Sequence, residues 1–506
     1  MNRIITCLLI LLILTISSYS QVQRINGQSI TGNQTWRGTI LISGDVTIEQ
    51  KSRLVIEPGT KVLFESNQDF TKGGKDKTRS EIIVRGTLIA RGLPGRKIKF
   101  SSNSDFPRMG DWYSLEFLHL KGGSLLEYCV IEYAYNGLTI KNSKLMVNNC
   151  EVRYNYHAGI STEVKSTPEI KNSILSENGY AGLICELGSK PVLSDNVISL
   201  NHIGVVVFSL SQPNLGNMTP GENYNPGRNN IYNNEEFNLY NHSNKKIIAE
   251  SNYWGDKNRS IIAEKVYDRD DNSKFGLVDF APILKQSAQE NLGTLLLLAQ
   301  DTGPSKTVPT QPKTKQATTK KTIPTKTLIA DQSIPVSTQQ NVPVTKDATA
   351  NSAQNQKLTK NKSTNINDET MDLLKKIDEM APIMASASPR EPIVHQLAVN
   401  HKEVKNKIDY NQIFLELFLD GGKKKYVTKP NLDPSKIPRN FWEAGEVRVK
   451  VIVNKSGKVE NASILRGLND IVDQVVLETV EGFEYQSGQI NGQTVKFSTS
   501  EVFRFK

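Results

Sequence analysis

Lys141, Glu163 and Glu186 follow the runs "LTI", "IST" and "LIC" at a spacing of 22 and 23 residues. On stacked strands, each would sit one position past a pair of core-facing residues and point outward on the same side. Carboxylates about 5 Å apart in such a column can hold calcium or raise one another's pKa toward acid catalysis. The same arrangement serves a solvent-facing ladder in which Lys141 offsets the repulsion between the two glutamates. Phe208 takes the next place, so no further carboxylate extends the column. These three are the catalytic candidates, calcium is the one ion they suggest, and no other cofactor or metal is expected.

Tyr133, Tyr135, Tyr154, Tyr156 and Tyr180 cluster near the neighbouring turns. Rings stacked along a ladder can grip sugar rings, because the apolar face of a pyranose packs on a flat aromatic; the competing reading is packing at the rim of the coil. His157 and His202 stand apart as turn residues. Glu132 and Arg153 read as a surface ion pair. "DRDDN" at 268–272 lacks the glycine and distal glutamate of an EF-hand and reads as a turn. The chain has no phosphate-binding loop, dinucleotide fingerprint, G-x-S-x-G motif or zinc spacing.

What must position these residues is a repeat. Gly137, Gly159, Gly182 and Gly204 are spaced 22, 23 and 22 residues apart, and Asn155, Asn178 and Asn201 are spaced 23 and 23. A period of this size means stacked units, each too small to bury its own apolar face. Leu138, Ile160, Leu183 and Val205 form one inward column, and Ile140, Thr162, Cys185 and Val207 the next. A second strand gives Val147, Ile170, Leu193 and Leu215. Each lap closes one coil, and coils stack in parallel register about 4.8 Å apart. The asparagines should then bond amide to amide along the stack. Cys129 lies over Cys150 as stacked, buried thiols.

The chain has 506 residues and a formal charge of +10. Residues 1–20 read as a secretory signal: Arg3, then an apolar run from Ile4 to Ile16 that is too short to cross a membrane. From Asp301 to Ile366 there are ten lysines, three aspartates and no aromatic residue. Residues 285–366 are thus a disordered Lys/Thr/Pro/Gln-rich linker that spans roughly 45 Å and lets the two ends work at separate places. Its lysines lack interleaved aromatics, so no nucleic acid is expected as a partner. Residues 367–424 form a helical lead-in, with Met371, Leu374, Ile377 and Met380 at helical spacing. In the tail, Val447, Val449, Val451 and Val453 alternate as a strand, and "NKSG" turns into a second. "DIVDQVVLETVEGF" is a helix capped by Asp470, with Ile471, Val475, Leu477 and Val480 on one side, and "TVKFSTSEVFRFK" is a closing strand.

The repeat over residues 21–284 resembles the right-handed parallel β-helix family of pectate-lyase-like architecture, from "GDVTIEQKSRLVIEPGTKVLFES" to "ESNYWGDKN". The fold class is therefore mainly β, followed by a small α+β domain of order β-β-α-β. The resemblance implies lyases and hydrolases as well as inert binding proteins. The segment 425–506 resembles the TonB C-terminal domain through its alternating valines, the "N-x-x-G-x-V" turn, "EGFEY", "NGQTV" and the aromatic final strand. That resemblance implies a domain that binds extended peptides at a sheet edge, placed here at Val495, Phe497, Val502, Phe503 and Phe505. Energy-transducing members keep a histidine in an N-terminal anchor, and this chain has none there. The reading is an exported protein of the periplasm or outer membrane of a Gram-negative bacterium, without catalysis. Its β-helix binds a polysaccharide or cell-wall glycan, and its tail docks an outer-membrane or periplasmic protein. A polysaccharide lyase or hydrolase and a TonB-type transport accessory are the alternatives.

Overall fold

The computed structural model describes residues 22–288 and 408–505. The expected leader, most of the linker and the Met371–Met380 stretch lie outside the described residues. Residues 22–279 wind into coils of three short strands each. One coil comprises Cys129–Glu132, Asn136–Lys141 and Leu145–Asn148; the next comprises Glu151–Arg153, Ala158–Glu163 and Glu169–Lys171. All ladders between coils are parallel. Leu138 pairs with Ile160, Leu183 and Val205 in succession, and Ile140 with Thr162, Cys185 and Val207. These columns, with Val147, Ile170, Leu193 and Leu215, are fully buried in one continuous apolar core.

The repeat's special residues have physical reasons. A Cβ at Gly137, Gly159 or Gly182 would lie 2.6–2.9 Å from the carbonyl oxygen of the next glycine in the column. Only glycine allows coils to approach this closely at that bend. The amide of Asn155 donates to Asn178 at 2.9 Å, Asn178 to Asn201 at 3.0 Å, and Asn201 to Asn234 at 3.1 Å. A second such ladder links Asn196, Asn229 and Asn252. Tyr133, Tyr154, Glu177, Leu200 and Asn233 all take left-handed backbone conformations at one corner, with φ between 54° and 65°. That corner swings the chain from one sheet to the next and turns these side chains outward. Cys129, Cys150 and Cys185 are buried free thiols, as the repeat register requires.

The tail begins with Ile413–Leu415, a 3-10 turn at Glu416–Phe418, and Tyr426–Thr428. The described part of the lead-in is thus a short strand and a turn, not an α-helix. Strands Gly445–Val453, Val459–Arg466 and Gln493–Phe505 form an antiparallel core that Ile413–Leu415 joins in parallel, so the sheet is mixed. The helix Asp470–Glu481 packs Val472, Val476 and Val480 on the buried valines of the first strand. Its cap is Asn469, one residue before the expected Asp470, and Ile471 is exposed. The other face of the tail sheet lies on the β-helix. Ile174 and Val197, on the outer side of their coils, belong to the apolar cluster of the tail. The expected separation of the two ends is therefore corrected: the tail roofs one face of the coil. Among the described residues, no helix is long and apolar enough to cross a membrane.

Candidate functional site

Two aromatic ladders run along adjacent parts of the coil, and they divide the five predicted tyrosines. The roofed ladder starts at the left-handed corner. Tyr133 and Tyr154 stack with centroids 5.7 Å apart, and both are buried. Lys450 of the tail lies 4.8 Å over the Tyr154 ring and donates to the Tyr133 hydroxyl at 3.2 Å. The Tyr154 hydroxyl meets Ser498 at 3.1 Å and donates to Glu177 at 3.3 Å. Tyr156 is covered by the Arg466 guanidinium at 4.5 Å. Tyr133 and Tyr154 are thus not available to a sugar, because the tail occupies their faces. Sequence periodicity could not show this, since the contact joins residues more than 300 positions apart.

The contact is charged. Arg448, fully buried, bonds Glu235 at 3.0 Å, and Arg504 reaches the same carboxylate. With His202 also bonded to it, Glu235 is held down to about 2 against the opposing cost of its burial. Glu132 is buried, not the surface residue that the sequence suggests. It pairs with Lys99 at 2.7 Å and Arg153 at 3.1 Å, which together hold its carboxyl well below the usual range despite its desolvation. Glu177 is different: burial pushes it up to about 7, and nearby Glu416 adds to this. Its Oε2 has no hydrogen-bond partner.

The second ladder is the open one. Tyr113, Tyr135, His157, Tyr180 and His202 follow one another on successive coils, with centroid separations of 5.7, 5.6, 5.2 and 6.3 Å. Tyr113 is buried at the start of the run and the other four are half-buried. Arg79 lies 4.9 Å from the Tyr135 ring. His157 Nδ1 bonds Asn136 Oδ1 at 3.1 Å, and that oxygen also accepts the Ala158 N–H. Nδ1 therefore carries the proton and Nε2 keeps its lone pair, while burial and Lys75 lower the histidine's pKa. The histidines are in line with the tyrosines because each coil places its aromatic two positions before the column glycine, Gly137, Gly159, Gly182 or Gly204. Farther along, Phe208, Tyr240, His242, Tyr267 and Phe275 extend the aromatic surface, with Tyr240 and Tyr267 stacked at 4.9 Å. The sequence reading missed this extension. Its one trace was Phe208 taking the place after Glu186.

The charged column flanks this ladder. Lys141 bonds Glu116 at 2.8 Å and lies 3.7 Å from Glu163. Glu186 is raised chiefly by burial and then by Glu163. Lys141 is thereby committed to two carboxylates. Among the described residues, no group of three or more His, Cys, Asp or Glu side chains converges as a metal site would. One carboxyl nearby does have unusual chemistry. Glu81, fully buried, is pushed up to about 8 by desolvation, aided by Glu116 and Asp45, although the Lys75 N–H bonds it.

The predicted docking edge is covered in part. Val495 pairs with Gly488, and Phe497 with Phe414 on one side and Val453 on the other. Val502, Phe503 and Phe505 pair with Arg448, Val447 and Gly445 on one side, and among the described residues no strand pairs with them on the other.

Residues 112–252 match the family model of the right handed beta helix region, and residues 442–506 match that of the Gram-negative bacterial TonB protein C-terminal domain. No curated protein matches the chain. Among solved structures, the chain is similar to the periplasmic alginate epimerase AlgG at 12% identity, covering 50% of this chain and 76% of that one, with a TM-score of 0.16.

Proposed function

We propose that this chain, a right-handed β-helix bearing a TonB-type C-terminal domain, is an exported envelope protein that binds a polysaccharide along its open aromatic ladder. The observation that carries this reading is the half-buried run of Tyr135, His157, Tyr180 and His202, whose rings stack on one another at coil spacing, with His202 tilted, and so leave a continuous strip of ring edges and polar tips. An extended glycan can lay its C–H surface along such a strip and bond its hydroxyls to the tyrosine and histidine tips. The tail supplies a contact to a periplasmic or outer-membrane protein. Binding of full-length protein to immobilised neutral and uronic-acid glycans tests the first part. The double variant Tyr135→Ala/Tyr180→Ala should weaken retention at least roughly tenfold; unchanged retention overturns the reading.

A second reading, a lyase or hydrolase, would draw its acid from Glu81, whose carboxyl burial raises to about 8, and its base from His157, whose pKa burial and the Lys75 charge lower. Unsaturated products or new reducing ends from the same glycan panel, lost in Glu81→Gln, would establish it.

A further inference from the structure

The final strand of the tail has part of its outer edge closed by the chain itself. Ile413, Phe414 and Leu415 pair in parallel with Lys496, Phe497 and Ser498. The closure continues past the end of this short strand. The Lys424 ammonium donates to the Ser500 carbonyl at 2.5 Å and the Thr499 hydroxyl at 2.8 Å, and the Tyr426 hydroxyl donates to Glu501 at 2.9 Å. Glu416 accepts the Lys424 N–H at 2.9 Å and also bonds Thr499. Phe414 and Leu415 fill the tail's apolar core, whereas Ile413 is exposed.

This segment is an addition to the domain. The matched family unit begins at residue 442, and the segment adds Phe414 and Leu415 to its core of Val447, Val449, Val451, Val472 and Val476. A cleft lined by Asp420, Lys423, Lys425, Gln486 and Gln489 separates the lead-in from the hairpin beside it. The segment makes only three residue pairs with the final strand, against nine between that strand and Gly445–Val453.

We propose that Ile413–Glu416 is an exchangeable strap on the peptide-docking edge, so that a foreign strand pairs with Lys496–Ser498 only by displacing it. This rests on the reading of the tail as a docking domain and adds its regulation. The displacing partner is an extended peptide with an aromatic or large aliphatic residue at the Phe414 place and a carboxylate two residues later, to take over Lys424 and Thr499. The strap keeps this part of the edge from pairing with unselected strands, a hazard of any open sheet edge.

The test uses full-length protein and a labelled peptide of residues 408–420. Phe414→Asp should bind the peptide at least roughly tenfold more tightly than the wild type, whose edge is filled at Lys496–Ser498. Equal binding to both overturns the strap and leaves the docking reading standing. A folded Phe414→Asp that takes no peptide overturns the docking reading at this edge. Hydrogen exchange on the wild type decides the matter if the variant does not fold. Amides of Phe414–Glu416 should exchange faster than those of Val449 and Val451 through local opening; equal rates would show that the strap opens only when the whole tail unfolds, and the proposal falls.

Discussion

The roofed and open aromatic ladders are made from the same residue type by the same repeat, yet they serve different ends. At the roofed ladder, Tyr133 and Tyr154 occupy left-handed corner positions and project toward the tail, whose Lys450 and Ser498 meet them. Two positions later, Tyr135 and Tyr156 lie beyond the corner, and the Tyr135 side joins the open run. A shift of two residues around a bend thus separates a structural tyrosine from a surface tyrosine. The wider lesson is that on a coiled sheet the face a residue occupies depends on its offset from the nearest corner as much as on its alternation along a strand.

The largest expected effect comes from breaking the roof. Lys450→Glu places a carboxylate among Glu132 and Glu177 and over the Tyr154 ring, and it should destabilise the docked tail by about 3 kcal/mol. Thermal unfolding should then split into separate transitions for the tail and the coil, with glycan retention unchanged; a single unshifted transition would remove the roof's energetic role.

A change of opposite sign follows from Glu177. Its carboxyl is raised to about 7 in the folded protein from an ordinary 4.5. The folded state therefore binds the extra proton. The stabilisation is complete below the unfolded pKa and is lost as pH rises through about 7. Glu177→Gln should raise stability by about 2–3 kcal/mol at pH 8 and by little at pH 4.5. Urea unfolding at the two pH values checks this, and a gain that does not change with pH would contradict it.

The smallest effect sharpens the contrast between the ladders. Tyr154→Phe removes the hydroxyl shared by Ser498 and Glu177 and should cost about 1 kcal/mol without touching glycan retention. Tyr135→Phe keeps the ring and should leave both stability and retention near wild type. Reversal of that pattern would interchange the roles assigned to the ladders.

Much of the coil was legible because its determinants are local and repeated. From residue 137 to 207 the inward columns, the close-approach glycines and the asparagine ladder each recur every 22 or 23 residues, so one alignment of the chain on itself places them; the 33-residue steps to Asn229 and Asn234 fall outside that period. The tail's hairpin and helix were legible through alternating valines and a turn signal. The roof was not, because Lys450 and Tyr133 carry no mutual signature in a single sequence. The same holds for Glu132, whose burial depends on Lys99, Arg153 and the covering tail together. The strap was hidden because three residues, Ile413 to Leu415, are too few to show alternation. The helix cap moved by one position because Asn469 and Asp470 are both competent caps, and the backbone geometry at Asn469 decided between them.

The described coil runs to residue 288 and the described tail starts at residue 408. The two are one polypeptide, so their association is intramolecular, and the described bonds between them join two folded surfaces. A protease that severs the chain anywhere in that interval would convert one polypeptide into a two-piece complex that sediments as a single particle until dilution parts it.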